Sequence, residues 1–290
     1  MYETIKYEIK DGWVSIVLNR PRMKNALSGQ MMRELEAALW DADDDKSVHA
    51  VMISGEGDSF CAGYDLVEYR EKDESGQRAG VKYRGARSYD DDVWQLEKNQ
   101  RRLLTAFDMH KPVVAKVHGH CIAGGIDLAL CCDMIVAAED ARIGFPPARG
   151  QGTLPLNFWV YNVSPQWAKR LLLTGDLISG KDAARIGLIL KSVPADRLDA
   201  EALHLMNRMR RIDPEVLAVN KRVVNLAQEL MGARTMQRLA AELDARGHLS
   251  KSAREFGAAV TEKGVKEAVR MRDEPFGGAF ARVEEPDAGD

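Results

Sequence analysis

The chain has 290 residues, 45% of them hydrophobic, and a formal net charge of −3 at neutral pH. This composition supports a large buried core and argues against a disordered chain. It also provides no overall basic field for binding nucleic acid or an anionic membrane. The N-terminal segment lacks the apolar core of a signal peptide, and no uncharged apolar run reaches membrane-spanning length. Four cysteines without a C-x-x-C spacing fit reduced thiols, so we expect a cytoplasmic protein.

Strands and helices alternate in the first part of the chain. Residues 4–9 and 13–21 alternate around a turn and predict a hairpin, with Pro21 ending its second strand. Ser28 can cap the helix that follows. Further strands are predicted over 49–57, 113–119, 134–140 and 141–146, and further helices over 92–111 and 126–132.

Helical periodicity dominates from about residue 164 onward. An α/β core over 1–200 followed by a helical region over 201–280 is the predicted organisation. The polar region that starts at residue 59 and reaches about residue 90 is expected to be a mobile loop or a loose helix on the surface. The tail, 281–290, is expected to be disordered.

Two glycine-containing segments each follow a predicted strand: "SFCAGYDL" (59–66) and "HGHCIAGGIDLAL" (118–130). Glycine permits sharp turns and close approach to the backbone, and a helix that begins after Gly-Gly offers unpaired N–H donors. Two such donors that converge would form an oxyanion hole. The alternative is a pair of ordinary strand–helix turns. Neither segment matches a nucleotide-binding loop.

Several polar residues near these segments have both a functional and a structural interpretation. Asp127 is either a helix N-terminal acid or a general acid/base beside an anion site. Asp133 fits a turn before a strand, and Asp65 fits a cap on the loop that follows it. His118 and His120 form an H-x-H pattern, but no third ligand is visible, so no metal site is predicted.

Five segments occur in a characteristic order along nearly the whole chain. They are "NRPRMKNALS" (19–28), "FCAGYDL" (60–66), "HKPVVAKVHGHCIAGGIDLALCCDMIVAAEDARIGFP" (110–146), "LLLTGDLISGKDAARIGLI" (171–189) and "KGVKEAVRMRDEPF" (263–276). Each is weak alone, but the ordered set resembles the crotonase superfamily, the enoyl-CoA hydratase/isomerase proteins.

This resemblance implies a spiral of ββα units with a helical C-terminal trimerisation region, and therefore a homotrimer or a dimer of trimers. It implies an acyl-CoA thioester as substrate, with its carbonyl oxygen held by the backbone N–H groups of Tyr64 and Gly124. Binding of CoA would fall on Arg22, Lys24 and Ala26, and on Ala62 and Asp65. No metal and no cofactor beyond the substrate's own CoA would be required.

The resemblance is imperfect at the acid/base positions. Hydratases of the family carry a glutamate three residues after the glycine that corresponds to Gly124, and this chain has Asp127 there. They carry a second glutamate at the position of Pro147. Water addition requires an activated water and a protonated carbon, and two carboxylates normally share that work. Proline can neither activate a water molecule nor protonate a carbon.

Several activities remain open on this basis. The first expectation is hydration of a 2-enoyl-CoA, with Asp127 assisted by Tyr64, Glu68, Tyr69 or Arg149. The alternatives are isomerisation, hydrolysis or decarboxylation with Asp127 as the sole acid/base, or non-catalytic binding of CoA esters. Arg149 is expected to form a surface salt bridge, or else to receive a carboxylate on the acyl group.

Overall fold

A computed structural model describes residues 2–68, 88–278 and 280–283. Its ten strands in these ranges form two sheets, which are surrounded by eleven helices. The strands are β1 Ile5–Ile9, β2 Trp13–Leu18, β3 Ala50–Gly55, β4 Val113–Val117, β5 His120–Ile122, β6 Met134–Ala138, β7 Arg142–Gly144, β8 Leu177–Ser179, β9 Lys191–Val193 and β10 Phe280–Ala281. The helices are α1 Gly29–Asp44, α2 Tyr89–Asp108, α3 Gly124–Cys131, α4 Trp159–Asn162, α5 Pro165–Thr174, α6 Gly180–Arg185, α7 Leu198–Met209, α8 Pro214–Leu230, α9 Ala233–His248, α10 Lys251–Lys263 and α11 Val265–Asp273.

The larger sheet has the strand order β1-β2-β3-β4-β6-β9. The predicted hairpin is confirmed, because β1 and β2 pair antiparallel; the other neighbours in this sheet are parallel. Parallel strands need crossover connections, which bury both faces of the sheet under helices. Val14, Ile16 and Leu18 are accordingly fully buried in the main core. The predicted α/β class is confirmed.

Both long helices of the first half begin at a serine cap. Ser28 Oγ accepts a hydrogen bond of 3.1 Å from Met31 N, which confirms the predicted start of α1. Ser88 and Asp91 form a reciprocal capping box at the start of α2. These caps satisfy N–H groups that have no partner within the helix. The apolar face of α1 packs on the sheet, and α2 packs on α1, α3 and α9.

The smaller sheet, in the order β10-β8-β7-β5, brings the two glycine-containing segments together. Phe60 N donates to His118 O at 2.9 Å, and Cys61 N donates to His120 O at 2.8 Å. The first segment therefore runs along β5, and β5 leads directly into α3. Every residue of α3 is buried.

The C-terminal third is helical, as predicted, and the predicted boundary at residue 200 falls within α7. The division into two regions stays a prediction. Most of the expected mobile region, residues 69–87, lies outside the described residues, and so does the end of the tail, 284–290. No helix in the described ranges is long and apolar enough to span a bilayer.

One lysine connects the C-terminal helices to the α/β core. Lys221 of α8 is buried, and its Nζ donates to Ala106 O at 2.7 Å and to Lys111 O at 3.1 Å. It also pairs with Asp133 Oδ2 at 2.9 Å. Asp133 in turn accepts a 2.7 Å hydrogen bond from Val113 N, the first residue of β4. Asp133 thus has the structural role expected of it.

Replacing Lys221 by alanine should destabilise the protein strongly, because Asp133, whose side chain is 17% exposed, would lose its cation and two backbone carbonyls would lose their donor. Breaking a largely buried pair costs up to about 3–5 kcal/mol. Denaturant unfolding measures the change. Arg270→Ala, which removes an exposed ion pair with Glu267, is the control and should have a much smaller effect. Equal effects of the two substitutions would contradict the anchoring role of Lys221.

Candidate active site

Asp127 lies in the first turn of α3 and is fully buried. Neither of its carboxylate oxygens has a hydrogen-bond partner among the described residues. A buried polar group without a partner is costly and therefore unusual. Burial raises the pKa of Asp127 well above its ordinary value, so the carboxyl group favours its protonated form.

Other groups near Asp127 modify this preference in opposite directions. The negative charge of Asp244 raises the pKa of Asp127 further. The backbone N–H groups of Leu156 and Asn157 lower it, although they do not reach hydrogen-bonding geometry. Desolvation is the largest effect, which means that this carboxyl group is suited to donating a proton.

The two glycine-containing segments meet at the N-terminal end of α3. A Cβ on Gly63, which has a φ of +98°, would lie 2.7 Å from Ala123 Cβ and 3.2 Å from Gly124 N. A Cβ on Gly124 would lie 2.9 Å from Cε2 of the Tyr64 ring. The Tyr64 ring therefore lies against Gly124. Position 63 has no room for a side chain, and a side chain at position 124 would displace that ring.

The backbone is strained where it enters α3. Ala123 has φ 52° and ψ −126°, a conformation that L-residues rarely adopt. Its N–H donates to Gly144 O at 3.0 Å. Gly124 follows as the first residue of the helix, so its N–H has no acceptor within the helix. This end of α3 presents a donor and the positive end of the helix dipole to the space beside Tyr64.

The position of Tyr64 is set by the segment that precedes α1. Leu27 N donates to Gly63 O at 2.8 Å, and Asp65 N donates to Leu27 O at 3.0 Å, so Leu27 and Tyr64 form a short parallel bridge. Lys24 O accepts from Ala62 N at 2.9 Å. The residues assigned to CoA binding therefore lie on two adjacent segments.

Their individual environments differ. Arg22 and Lys24 are exposed, as phosphate-binding side chains must be, whereas Ala26 is buried. Asp65 is buried and pairs with Arg20 Nη2 at 2.7 Å. Its Oδ1 accepts from Val67 N at 3.0 Å, so Asp65 caps the following turn as predicted, and its side chain is occupied within the protein.

Asn25 is an important residue that the sequence analysis did not identify. It is fully buried with φ 54°. Its Oδ1 accepts from Arg20 N at 2.9 Å, and its Nδ2 donates to Glu56 O and Ser59 O at 2.9 and 2.7 Å. Asparagine tolerates a left-handed backbone better than most residues. The asparagine in "KNA" is therefore the feature of the sequence that could have indicated this conformation. Asn25 fixes the shape of the loop that contains Arg22, Lys24 and Ala26.

The proposed helpers of Asp127 have other roles where the structure describes them. Glu68 Oε2 accepts from Gly29 N at 2.7 Å, at the start of α1. Tyr69 lies outside the described residues. Pro147 is the second residue of a short 3₁₀ turn, Pro146–Arg149, and its carbonyl oxygen accepts a hydrogen bond from Gln151 N at 2.8 Å. The two histidines of the H-x-H pattern also have partners within the protein. His118 Nε2 lies 2.9 Å from Gly57 O, and His120 Nδ1 lies 3.2 Å from Ser59 Oγ.

The expected surface salt bridge of Arg149 is wrong in its location, because Arg149 is buried. Its Nη2 pairs with Asp176 at 2.9 Å and its Nη1 with Asp273 at 3.3 Å, while Nε donates to Thr174 O at 2.9 Å. The guanidinium also lies 4.3 Å from the ring centroid of Phe276. Three hydrogen-bonding partners and a ring account for the cation, so its role is to connect the 3₁₀ turn to α11.

Comparison with known proteins shows the same family that the sequence motifs resemble. Residues 8–267 match the family described as enoyl-CoA hydratase/isomerase. The hydroxycinnamoyl-CoA hydratase-lyase of Pseudomonas fluorescens is 30% identical, over 84% of this chain and 86% of its own. The 2,3-dehydroadipyl-CoA hydratase of Escherichia coli K12 is 33% identical, over 74% of this chain and 79% of its own.

Solved structures agree with this similarity. An enoyl-CoA hydratase from Mycobacterium smegmatis superposes with a TM-score of 0.87 at 35% identity, covering 95% of this chain and 94% of its own. The predicted crotonase-type fold is thereby confirmed, and the chain belongs to the enoyl-CoA hydratase/isomerase family.

Proposed function

We propose that the protein hydrates a 2-enoyl-CoA thioester, with Asp127 as an acid/base group and the backbone N–H groups of Tyr64 and Gly124 as the oxyanion hole. The observation that carries this proposal is the buried carboxyl group of Asp127, which has no hydrogen-bond partner in the described structure and lies in the first turn of the helix that Gly124 begins.

The oxyanion hole makes the carbon–carbon double bond reactive. When water adds to C3 of a 2-enoyl thioester, electron density moves to the thioester oxygen and forms an enolate. Two backbone N–H groups and the helix dipole would stabilise that charge without having to reorganise. The loss of one such donor typically lowers the rate by roughly 10²–10³.

Asp127 would then protonate C2 of the enolate. Its raised pKa favours the protonated form, which is the state that a general acid requires. The related hydratases named above act on different CoA esters. They support the class of reaction and the thioester, and not one particular acyl group.

The CoA portion would bind along the two adjacent segments that precede α1 and follow β3. Arg22 and Lys24 are exposed there and would meet the phosphates. Ala26 and Ala62 would contribute backbone groups, and so would Asp65, because its side chain already pairs with Arg20.

Isomerisation of an enoyl-CoA is the second candidate, and Pro147 is the observation that favours it. Without the second glutamate, one acid/base group that moves a proton between two carbons of the enolate would suffice.

A cytoplasmic location is part of our proposal, and the four free cysteines support it.

Asp127→Asn should lower turnover by about 10²–10⁴ while leaving the fold and the binding of CoA esters intact. The assay incubates purified protein with 2- and 3-enoyl-CoA esters in heavy water and follows the products by mass spectrometry. Hydration adds the mass of water, isomerisation incorporates deuterium alone, and hydrolysis releases free CoA.

The matched control is Asp133→Asn, which alters a partly buried carboxyl group just beyond the other end of α3. It should affect stability more than turnover. If the wild-type protein binds CoA esters but transforms none of them, the proposed hydration is contradicted and a binding function takes its place. Full activity in Asp127→Asn would reduce Asp127 to a helix-terminal residue.

The raised pKa of Asp127 also predicts how stability depends on pH. Between the unfolded pKa, about 3.9, and the higher folded pKa, the native state keeps a proton that the unfolded state loses. Stability from this group is complete below the unfolded value and is lost as pH rises through the folded one. The free energy of unfolding of the wild-type protein, relative to Asp127→Asn, should therefore fall as pH is raised. A difference independent of pH would show that Asp127 is ionised in the folded protein.

We also propose that the chain assembles into a homotrimer, or a dimer of trimers, through α8. Only Lys221 of this helix is buried, and the opposite face is apolar and exposed to solvent. The exposed residues on that face are Val216, Val219, Val223, Leu226 and Leu230. A contiguous exposed apolar face of this kind is typical of an interface between proteins.

The double variant Val219→Glu/Val223→Glu should dissociate the assembly, because it would bury two charges in the interface. Sedimentation velocity measures the change from a trimer or hexamer to a monomer. Arg222→Glu places a carboxylate beside the apolar face and should leave the assembly intact. A wild-type protein that sediments as a monomer would contradict the proposal.

A further inference from the structure

A second buried carboxylate faces the neighbourhood of Asp127 from the C-terminal helices. Asp244 of α9 is 6% exposed, and its Oδ1 accepts a 2.8 Å hydrogen bond from Thr153 N. Gly152 lies directly against that oxygen, so a side chain at position 152 would collide with it. The segment that follows the turn at Pro147 is thus shaped around the carboxyl group of Asp244.

Behind Asp244, two more ionisable groups lead toward the surface. His248 Nε2 lies 3.7 Å from Asp244 Oδ1, and His248 Nδ1 lies 2.7 Å from Asp92 Oδ2 of α2. The side chains of His248 and Asp92 are 37% and 35% exposed. A proton that reaches Asp244 therefore has a short route to solvent through an imidazole.

The same segment also connects Asp244 with Asp127. Thr153 N–H points at Asp244, and three and four residues later the N–H groups of Leu156 and Asn157 point toward Asp127. One short stretch of backbone therefore presents donors to both carboxyl groups. The two groups are also close enough for the charge of Asp244 to act on Asp127.

We propose that Asp127 and Asp244 work as an acid–base pair, with Asp127 holding the proton and Asp244 the negative charge, and that Asp244 supplies the second carboxylate that Pro147 denies to the site. This inference rests on the proposed hydration. It places the second acid/base group on α9, outside the segment in which the family's second glutamate would lie.

The electrostatics of the pair agree with these unequal roles. Burial raises the pKa of Asp244 to about 6, although His248 opposes the shift. Asp92 raises the pKa of Asp244, and Asp127 is the other acidic group that faces it. At neutral pH Asp244 is therefore mostly ionised, while burial favours the protonated form of Asp127. Two carboxyl groups whose environments separate their pKa values in this way provide one acid and one base.

The chemical step is balanced by these two groups. Ionised Asp244 accepts a proton from water as the water oxygen bonds to C3, and the electrons of the C2=C3 bond move into the thioester enolate. Asp127 gives its proton to C2, and the enolate returns to the thioester. The product has gained one water. Asp244 then holds a proton and Asp127 a charge, and exchange through His248 and solvent restores the starting state.

The first test is Asp244→Asn, assayed for hydration of 2-enoyl-CoA esters beside the wild-type protein. Asparagine keeps an acceptor for Thr153 N–H, so the fold and CoA-ester binding should survive, while turnover should fall by about 10²–10⁴. The matched control is Asp43→Asn. Asp43 is a buried carboxylate that accepts from Lys111 N at 2.9 Å, and its variant should keep wild-type turnover. Hydration by Asp244→Asn at the wild-type rate would overturn the inference and leave the proposed function standing.

The pH profile separates a catalytic role from a structural one. Activity of the wild-type protein should fall as pH drops through about 6, as Asp244 takes up a proton. His248→Gln removes a neighbouring positive charge, so the pKa of Asp244 should rise. The acidic limb of the pH–activity profile should then move to higher pH. A limb that does not move would overturn the role of Asp244 as the base.

A third measurement does not depend on substrate. The infrared band of a protonated carboxylic acid should be present in the wild-type protein at neutral pH and absent from Asp127→Asn. In Asp244→Asn, the pH at which this band disappears should be lower, because the negative neighbour has been removed. An unchanged midpoint would overturn the pair, even if the wild-type protein hydrates no ester and the proposed function fails on its own.

Discussion

The close approach of two backbone segments at the N-terminal end of α3 is the constraint on which the rest of the site depends. A Cβ at Gly63 would overlap Ala123, and one at Gly124 would overlap the ring of Tyr64. Ala123 takes a strained conformation between them. Such strain persists only where the surroundings determine it; here the smaller sheet does so, because Ala123 N–H donates to Gly144 O.

Two physical effects compete at Asp127, and their sizes decide its chemistry. The N-terminal end of a helix favours a negative charge, typically by 0.3–1 kcal/mol and up to about 2 kcal/mol in partly buried sites. Complete burial disfavours the charge, and it shifts carboxyl pKa values by as much as about 3–5 units. Burial is the larger effect, so a residue that by position resembles a helix-stabilising anion becomes a proton donor. Its position beside Gly124 is the reason we propose that this proton goes to the enolate of a bound thioester.

Local patterns predicted much of the fold, because hairpins, caps and glycine turns depend on neighbours in sequence. The hairpin β1–β2 and the cap at Ser28 are examples. The approach of the Tyr64 ring to Gly124 was expected from the family resemblance and not from a local pattern. Arg149 and Glu68 were misleading, because their partners lie elsewhere in the chain: Asp273 on α11 for Arg149, and the first N–H of α1 for Glu68. No periodicity or spacing carries such information.

Asp244 illustrates the same limit from the opposite direction. On the surface of an amphipathic helix, an aspartate four residues before a histidine predicts nothing beyond an exposed pair. The proposed role of Asp244 depends on two other parts of the chain. Helix α2 contributes Asp92, and the Gly152–Asn157 segment packs against α9 and extends to Asp127. When a family's catalytic position is occupied by proline, the charge it supplied can come from any element that reaches the same buried region. Here the element that does so is a C-terminal helix.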